Sequence, residues 1–302
     1  MNKIGFWAIA ATMICGCCSC DKEFKMGTYG YDLAFFAGHD INSVELKSED
    51  GKSRLLIVPE YQGRVMTSTA GGFEGKSYGW INYKFIEAGK VSPQFNPFGG
   101  EERFWIGPEG GPFSYYFKKG VSQVYENWKV PAPIDTDSYD IESQSDGKIV
   151  FRKDFRVRNA SDYEFEMGVR RTITMLDRSS LEALLGLEMS ESLNIVAYKT
   201  VNEIRNNGAF AWTEETGMPS VWLLSTFNPT PTTTVFIPYN EEYAGKKVND
   251  EYFGKVPADR LIIEDGVAYF KIDGKYRAKI GLPEGSAKDV CGSYDSKAGV
   301  LN

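Results

Sequence analysis

Alternation of apolar and polar residues with a period of two is the feature of this sequence that most restricts its fold. Between Phe151 and Arg158 the apolar residues fall at odd positions, and after the polar stretch 159–162 the same alternation runs from Tyr163 to Met175. A period of two places successive side chains on opposite faces of a strand. The sequence therefore predicts one long antiparallel hairpin, with residues 159–162 at its turn.

Similar short runs of β-branched and aromatic residues, closed by Gly, Pro, Asn or Asp, recur along the chain. Helical periodicity is limited to a brief segment at 179–187. Because so many strands occur without a repeat period, we predict an all-β protein, a large antiparallel β-sandwich in a single domain spanning residues 23–302. The further predicted strands are 53–59, 64–69, 78–86, 195–204, 221–227, 232–238 and 267–280.

The end of the chain resembles a strand that stops early. Residues 293–298 have the composition of a turn, and the apolar residues 300–301 follow it. A sandwich that ends within a strand exposes an unpaired edge. We therefore expect a domain that is shortened at its C-terminus and lacks some C-terminal strands, with an ordinary frayed terminus as the alternative.

Residues 1–20 have the pattern of an export signal. Lys3 supplies the positive charge, Ile4 to Ile14 form a short apolar stretch, and small residues follow. The apolar stretch is too short for a membrane-spanning helix. The sequence therefore predicts a signal segment over residues 1–20.

Four of the five cysteines crowd residues 15–20, which resembles a bacterial lipobox. Ile14 and Gly16 stand at the aliphatic and small positions that precede a lipidated cysteine, so Cys17 is the predicted lipidation site and Cys20 the alternative. Lipidation would anchor the protein to a membrane through its acyl chains. We therefore expect a lipoprotein of the bacterial cell envelope, on the periplasmic face or the cell surface.

Several function classes are excluded by composition and spacing. The formal net charge is −7 and basic clusters are lacking, so we expect no nucleic acid partner. The glycine-rich segment 71–77 lacks the spacing of a phosphate-binding loop, so we expect no nucleotide. His39 is the only histidine, which argues against an imidazole metal site and against a serine hydrolase triad. No metal and no cofactor are predicted.

One segment combines the side chains that bind sugars. Residues 99–111 read GGEERFWIGPEGG, with an aromatic indole, an arginine and several carboxylates between paired glycines. Aromatic faces pack on sugar rings, while carboxylates and guanidinium groups bind hydroxyls. Alternation places Arg103 and Trp105 on one strand face. On composition alone, a bulged hairpin with solvated charges fits the segment equally well.

Three stretches make the sequence resemble the galactose mutarotase-like superfamily, in particular a group of bacterial lipoproteins and secreted proteins: residues 63–82, 99–117 and 201–239. The resemblance implies a β-supersandwich with a sugar pocket. Better-known members use a histidine as acid and a late glutamate as base. This chain has no histidine in the equivalent central region and ends about where that glutamate would be expected.

The resemblance and the composition together define the candidate site residues. Glu109 and Glu102 are the candidate catalytic pair, replacing the missing histidine. An inward-facing arginine at position 171 must pair or line a polar cleft, and a purely structural ion pair is its alternative role. The candidate substrate-binding residues are Arg103, Trp105, Glu101, Asn82, Arg171, Asn202 and Glu215.

Three functions fit these observations. The first is a membrane-anchored lipoprotein that binds a carbohydrate, with the carbohydrate and the membrane as its partners. The second is an aldose epimerase or another glycan-active enzyme that uses a carboxylate pair. The third is a shortened, inactive remnant of such a protein.

Overall fold

The computed structural model describes residues 23–302, and the predicted signal segment and lipidation site lie outside that range. The described chain is mostly antiparallel β-structure with three α-helices. The strands are β1 (Val44–Lys47), β2 (Arg54–Val58), β3 (Arg64–Thr69), β4 (Arg103–Gly107), β5 (Asp140–Ser145), β6 (Lys148–Arg158), β7 (Glu164–Leu176), β8 (Ala197–Asn206), β9 (Ser220–Leu224), β10 (Thr233–Pro238), β11 (Leu261–Glu264), β12 (Val267–Lys271), β13 (Gly292–Asp295) and β14 (Val300–Leu301). The helices are α1 (Tyr29–Gly38), α2 (Tyr83–Glu87) and α3 (Arg178–Leu185).

The strands form four sheets. Their orders are β1-β2-β3, β5-β6-β7-β8, β4-β9 and β11-β12-β10-β13-β14. The longest ladder joins β6 to β7 from Lys148 opposite Thr174 to Arg158 opposite Glu164, which confirms the hairpin predicted from the period of two.

The main hydrophobic core lies between the first two of these sheets. Leu55 and Ile57 of β2 belong to the same buried cluster as Phe151 of β6 and Phe165 of β7. Apolar residues at alternate positions of each sheet therefore meet face to face, as in a β-sandwich. The fold class predicted from the sequence is confirmed.

The outer face of the β1-β2-β3 sheet is also covered, in this case by helix α1. Phe36 of α1 packs with Leu56, Val58 and Met66 in a second buried cluster. Because both of its faces are buried, the middle strand reads as a continuous apolar run instead of an alternating one. A third, smaller cluster lies under β11 and β12 and contains Leu261 and Phe270.

Two predicted strands differ from the structure. The first half of the segment 78–86 makes only isolated β-bridges. Its second half is helix α2, which begins after Asn82 because the side-chain oxygen of Asn82 accepts a hydrogen bond from Phe85 N and caps the helix. The strand predicted to end at residue 280 ends at Lys271, since Gly274 turns the chain with a φ of +72°.

Candidate functional site

Two adjacent glutamates precede strand β4 and are held in place by the neighbouring strand. Glu101 and Glu102 are buried, with 4% and 6% of their surface exposed. The backbone of Glu102 exchanges two 3.1 Å hydrogen bonds with Val65, and Glu101 N donates to Met66 O at 3.2 Å. The two carboxyl groups therefore enter the sandwich at a fixed position.

Glu102 forms a buried ion pair with Arg171 of β7. One guanidinium nitrogen, Nη2, lies 2.6 Å from Glu102 Oε2, and Nη1 lies 3.4 Å from Oε1. The Arg171 side chain is fully buried and also donates to the carbonyl oxygen of Gly63 at 3.3 Å. A charge this deep in a protein needs such partners, because an unpaired buried charge is strongly destabilising.

Strand β8 completes the site with a row of polar side chains. The Tyr198 hydroxyl donates to Glu101 Oε1 at 3.1 Å, and Thr200 Oγ1 donates to Glu102 Oε1 at 3.4 Å. Asn202 Oδ1 accepts from Arg171 Nη1 at 2.6 Å. These three residues are half-buried, whereas the glutamates and the arginine are buried, so the β8 side of the site is the one that reaches solvent.

We call this group the acid-pair site. Its members are Ser68, Glu101, Glu102, Arg171, Tyr198, Thr200 and Asn202. Four of them were predicted as site residues from the sequence. Ser68, Tyr198 and Thr200 were not, although Tyr198 and Thr200 share the strand face of Asn202 at intervals of two residues, which is the signal that could have identified them.

The two carboxyl groups of the acid-pair site have different surroundings. Within residues 23–302, Glu101 makes no ion pair and accepts hydrogen bonds only at Oε1, from Ser68 at 2.8 Å and from Tyr198. Its Oε2 atom is buried and has no hydrogen-bond partner in residues 23–302. Burial raises the pKa of Glu101 to about 7, so this carboxyl changes its protonation near neutral pH.

Arg103, Trp105 and Glu109 meet in a second cluster. The Arg103 guanidinium carbon lies 4.5 Å from the centre of the Trp105 ring, and the indole nitrogen donates to Glu109 Oε1 at 2.8 Å. Tyr116 stacks on the same indole with ring centres 5.5 Å apart. Trp105 is only 2% exposed, so its ring packs in the core between these neighbours.

The guanidinium of Arg103 has an acidic neighbour that the sequence did not reveal. Asp135 Oδ1 lies 3.6 Å from Arg103 Nη2, which also donates to the carbonyl oxygen of Ile134. Burial lowers the pKa of Arg103 to about 10, and burial also raises the pKa of Asp135. Asp135 follows the loop 131–134, and nothing in its local sequence distinguishes it from a solvated aspartate.

Two predicted site residues lie in other local structures. The Asn82 side chain caps helix α2 and donates to the carbonyl oxygen of Pro97 at 3.0 Å. Glu215 is exposed in the turn between Thr213 and Gly217. Neither Asn82 nor Glu215 makes a hydrogen bond to a residue of the acid-pair site.

Within residues 23–302, no group of three or more His, Cys, Asp or Glu side chains could hold a metal ion. In the same range, no helix has the length and apolar character needed to cross a membrane.

The fold and the site together define an all-β sandwich protein with a polar site between its sheets. The chain belongs to the family of unknown function DUF6786, which matches residues 27–302.

Two solved structures are similar to this chain. One is the Slr1438 protein from Synechocystis sp. PCC 6803, with 13% identity and a TM-score of 0.47 over 85% of this chain and 74% of the other. Another is a galactose mutarotase-like protein from Lactobacillus casei ATCC 334, with 12% identity and a TM-score of 0.42 over 78% of this chain and 65% of the other. The chain thus spans just under two thirds of the second structure. No curated protein matches the chain.

Proposed function

We propose that this protein is an exported lipoprotein that binds a carbohydrate at the acid-pair site. The observation that carries the proposal is the row Tyr198, Thr200 and Asn202 on the inner face of β8, placed against two carboxyl groups and a guanidinium. Sugar hydroxyls both donate and accept hydrogen bonds, and this row offers hydroxyl, amide and carboxyl groups side by side.

Two of the hydrogen bonds along this row are long enough to be exchanged for bonds to a ligand. Thr200 to Glu102 and Asn202 to Thr200 measure 3.4 and 3.3 Å, at the outer limit of hydrogen bonding. Glu101 Oε2 has no partner within residues 23–302. A bound hydroxyl group would replace weak contacts with shorter ones and would satisfy this buried oxygen.

Calorimetric titration with a panel of neutral mono- and oligosaccharides tests the binding proposal. We expect one sugar to bind with a stoichiometry of one, and Asn202→Ala to weaken it about tenfold through the loss of roughly 1–2 kcal/mol of hydrogen bonding. Val201→Ala is the matched control, because Val201 is the next residue on β8 and lies on the opposite face with 42% exposure. No binding of any sugar to the folded protein, or equal weakening by both variants, would contradict the proposal.

A lipid anchor is the second part of the proposed function. The pattern Ile14, Gly16 and Cys17 supports acylation at Cys17, with Cys20 as the alternative. Acyl chains would hold the protein at a membrane of the bacterial cell envelope while the sandwich faces the aqueous phase.

An enzymatic function is a second candidate, favoured by the raised pKa of Glu101. An acidic group poised near pH 7 beside an ion-paired carboxylate is the arrangement that general acid–base catalysis requires. The opening and closing of an aldose ring needs one acid and one base, so an aldose epimerase is the corresponding activity. Here Glu101, and not the predicted Glu109, lies next to Glu102.

Nuclear magnetic resonance exchange between the anomeric protons of free aldoses tests this candidate. If the acid-pair site is catalytic, the protein accelerates exchange, Glu101→Gln removes the acceleration, and Glu109→Gln retains it. Exchange at the uncatalysed rate in the presence of folded protein would contradict the enzymatic candidate and leave the binding proposal to its own test.

A further inference from the structure

The outer face of the β5-β6-β7-β8 sheet contains a hollow of about 270 Å³ that no part of the proposed function uses. Gly168 lies in its floor, in the middle of strand β7. We call this feature the Gly168 hollow. Its lining residues, besides Gly168 and Val169, are Glu142, Arg152, Asp154, Arg170, Glu203, Arg205 and Asn207.

The register of the sheet explains the hollow. Gly168 is paired with Asp154 on one side and with Arg205 on the other. In the adjacent row Arg170 is paired with Arg152 and Glu203, so long charged side chains surround a position that has none. A glycine inside a strand often marks a place where another group approaches the backbone.

The position of Gly168 also excludes a larger residue. A Cβ atom there would lie 2.8 Å from Asp154 Oδ1 and 2.9 Å from Asn207 Nδ2. These two groups are hydrogen-bonded to each other at 3.0 Å beside the glycine. Any side chain at position 168 would displace this pair, so the polar rim of the hollow depends on the glycine.

The charges around the hollow leave one cation without a partner. Arg152 pairs with Asp154 at 2.9 Å, and Arg170 pairs with Glu142 at 2.8 Å. Arg205 is exposed, and its guanidinium makes no hydrogen bond or ion pair with any residue that the structure describes. A ligand in this hollow would thus meet one available guanidinium among carboxylates and an amide.

We propose that the Gly168 hollow binds an acidic monosaccharide of the hexuronate class. A guanidinium recognises a carboxylate through two parallel hydrogen bonds, which assigns the ligand's carboxylate to Arg205. The free carboxylate oxygens of Glu142 and Glu203 accept hydrogen bonds from ring hydroxyls, and the amide of Asn207 donates or accepts them. The volume lies just below the range of about 300–1,000 Å³ for small-molecule sites, so it suits one ring and not an oligosaccharide.

This inference is independent of the acid-pair site. Along β8, Arg205 and Glu203 point to the outer face of the sheet, whereas Asn202 and Thr200 point to the inner face. Variants of the outer residues leave the inner hydrogen bonds in place. The two binding events can therefore succeed or fail separately.

Calorimetric titration of the protein with D-glucuronate tests the proposal, with two comparison ligands. D-Glucose has the ring and its hydroxyls without the carboxylate, and cyclohexanecarboxylate has the ring and carboxylate without the hydroxyls. We expect one D-glucuronate to bind per chain, at least tenfold more tightly than either comparison ligand.

Variants on the same strand assign the site. Arg205→Ala should weaken D-glucuronate binding at least tenfold, and Gly168→Ala should weaken it by crowding the rim. Lys199→Ala is the matched control, because Lys199 is an exposed cation on the outer face of β8 that does not line the hollow.

Coincident circular dichroism melting curves will establish that each variant is folded. The proposal is overturned by absence of D-glucuronate binding, by equal binding of D-glucose, or by equal weakening in Arg205→Ala and Lys199→Ala.

Discussion

Arg171 is the residue on which the acid-pair site depends. Its guanidinium binds Glu102, Asn202 and the carbonyl oxygen of Gly63, and so joins β7 to β8 and to the segment before β4. Its Nε atom has no hydrogen-bond partner in the described chain. The role of Arg171 is thus both to position the site and to neutralise a buried carboxylate.

Removal of this guanidinium should destabilise the fold strongly. We expect Arg171→Ala to lower the free energy of unfolding by about 3–5 kcal/mol, because Glu102 would remain buried without its counter-charge. Arg170→Ala is the matched control. Its ion pairs are exposed, and pairs of that kind contribute about 1 kcal/mol or less. Urea denaturation of both variants measures the difference, and similar losses would show that Glu102 does not depend on Arg171.

The pKa of Glu101 predicts how stability changes with pH. Its value of about 7 in the folded protein compares with an ordinary value of 4.5, so between these values the folded chain holds a proton that the unfolded chain releases. The protonated Glu101 carboxyl therefore stabilises the folded protein fully below about pH 4.5, and this contribution of about 3 kcal/mol to the free energy of unfolding is lost as the pH rises to 7.

Urea denaturation at several pH values, for the wild type and for Glu101→Gln, checks this prediction. The amide does not titrate, so the stability of the variant relative to the wild type should rise across this window. Parallel stability curves would mean that Glu101 ionises normally in the folded protein.

Residue chemistry allowed part of the site to be predicted from the sequence. Arg171 is predicted as a charge facing inward from an apolar strand, where a charge needs a partner, and Glu102 is predicted as one of the carboxylates in the segment 99–111. Ser68 and Asp135 carry no comparable signal, since small and acidic residues are common on exposed strands and loops. Their role follows only from the packing of distant segments, which pairing between sheets determines.

Among the elements, the entry to strand β4 is tightly constrained. Gly99 and Gly100 have φ values of +88° and +117°, which L-residues rarely adopt. A Cβ at Gly100 would lie 2.4 Å from Arg64 Cδ. These glycines let the chain turn tightly against β3, so that Glu101 and Glu102 point into the sandwich.

Substitution at this turn should therefore be costly. We expect Gly100→Ala to lower the free energy of unfolding by about 2 kcal/mol or more, through backbone strain and the clash with Arg64. Gly110→Ala is the control, because its φ is not positive and its nearest contact would be Gln123 Oε1 at 3.7 Å. Thermal denaturation of both variants measures the effect, and an unchanged Gly100→Ala would exclude strain at the turn.

The elements that the sequence predicted least well are those without a clear period. Helix α1 reads YGYDLAFFAG, with aromatic residues around its circumference and glycine near both ends, so it has no apolar stripe. Its conformation follows from packing against β2 and β3. The hairpin of β6 and β7 has the opposite character, since the alternation from Phe151 to Arg158 and from Tyr163 to Met175 could be recognised directly.

At the scale of the whole molecule, we propose that a lipid on the N-terminal segment holds the β-sandwich near a membrane. Metabolic labelling with radioactive palmitate in a bacterial host tests the anchor. We expect the wild type and Cys20→Ser to incorporate label and Cys17→Ser to lose it. Loss only in Cys20→Ser would assign the lipid to Cys20, and absence of label in the wild type would contradict the anchor.

Strand β8 carries residues of both proposed sites on alternating positions, and this has a consequence for how the sequence can change. Insertion or deletion of a single residue near the start of β8 would move every following residue to the opposite face, so that Asn202 would face water and Arg205 the interior. Both sites would be destroyed by one event. Natural length variants of this protein should therefore place their gaps in the loops on either side of β8 and leave the strand itself intact.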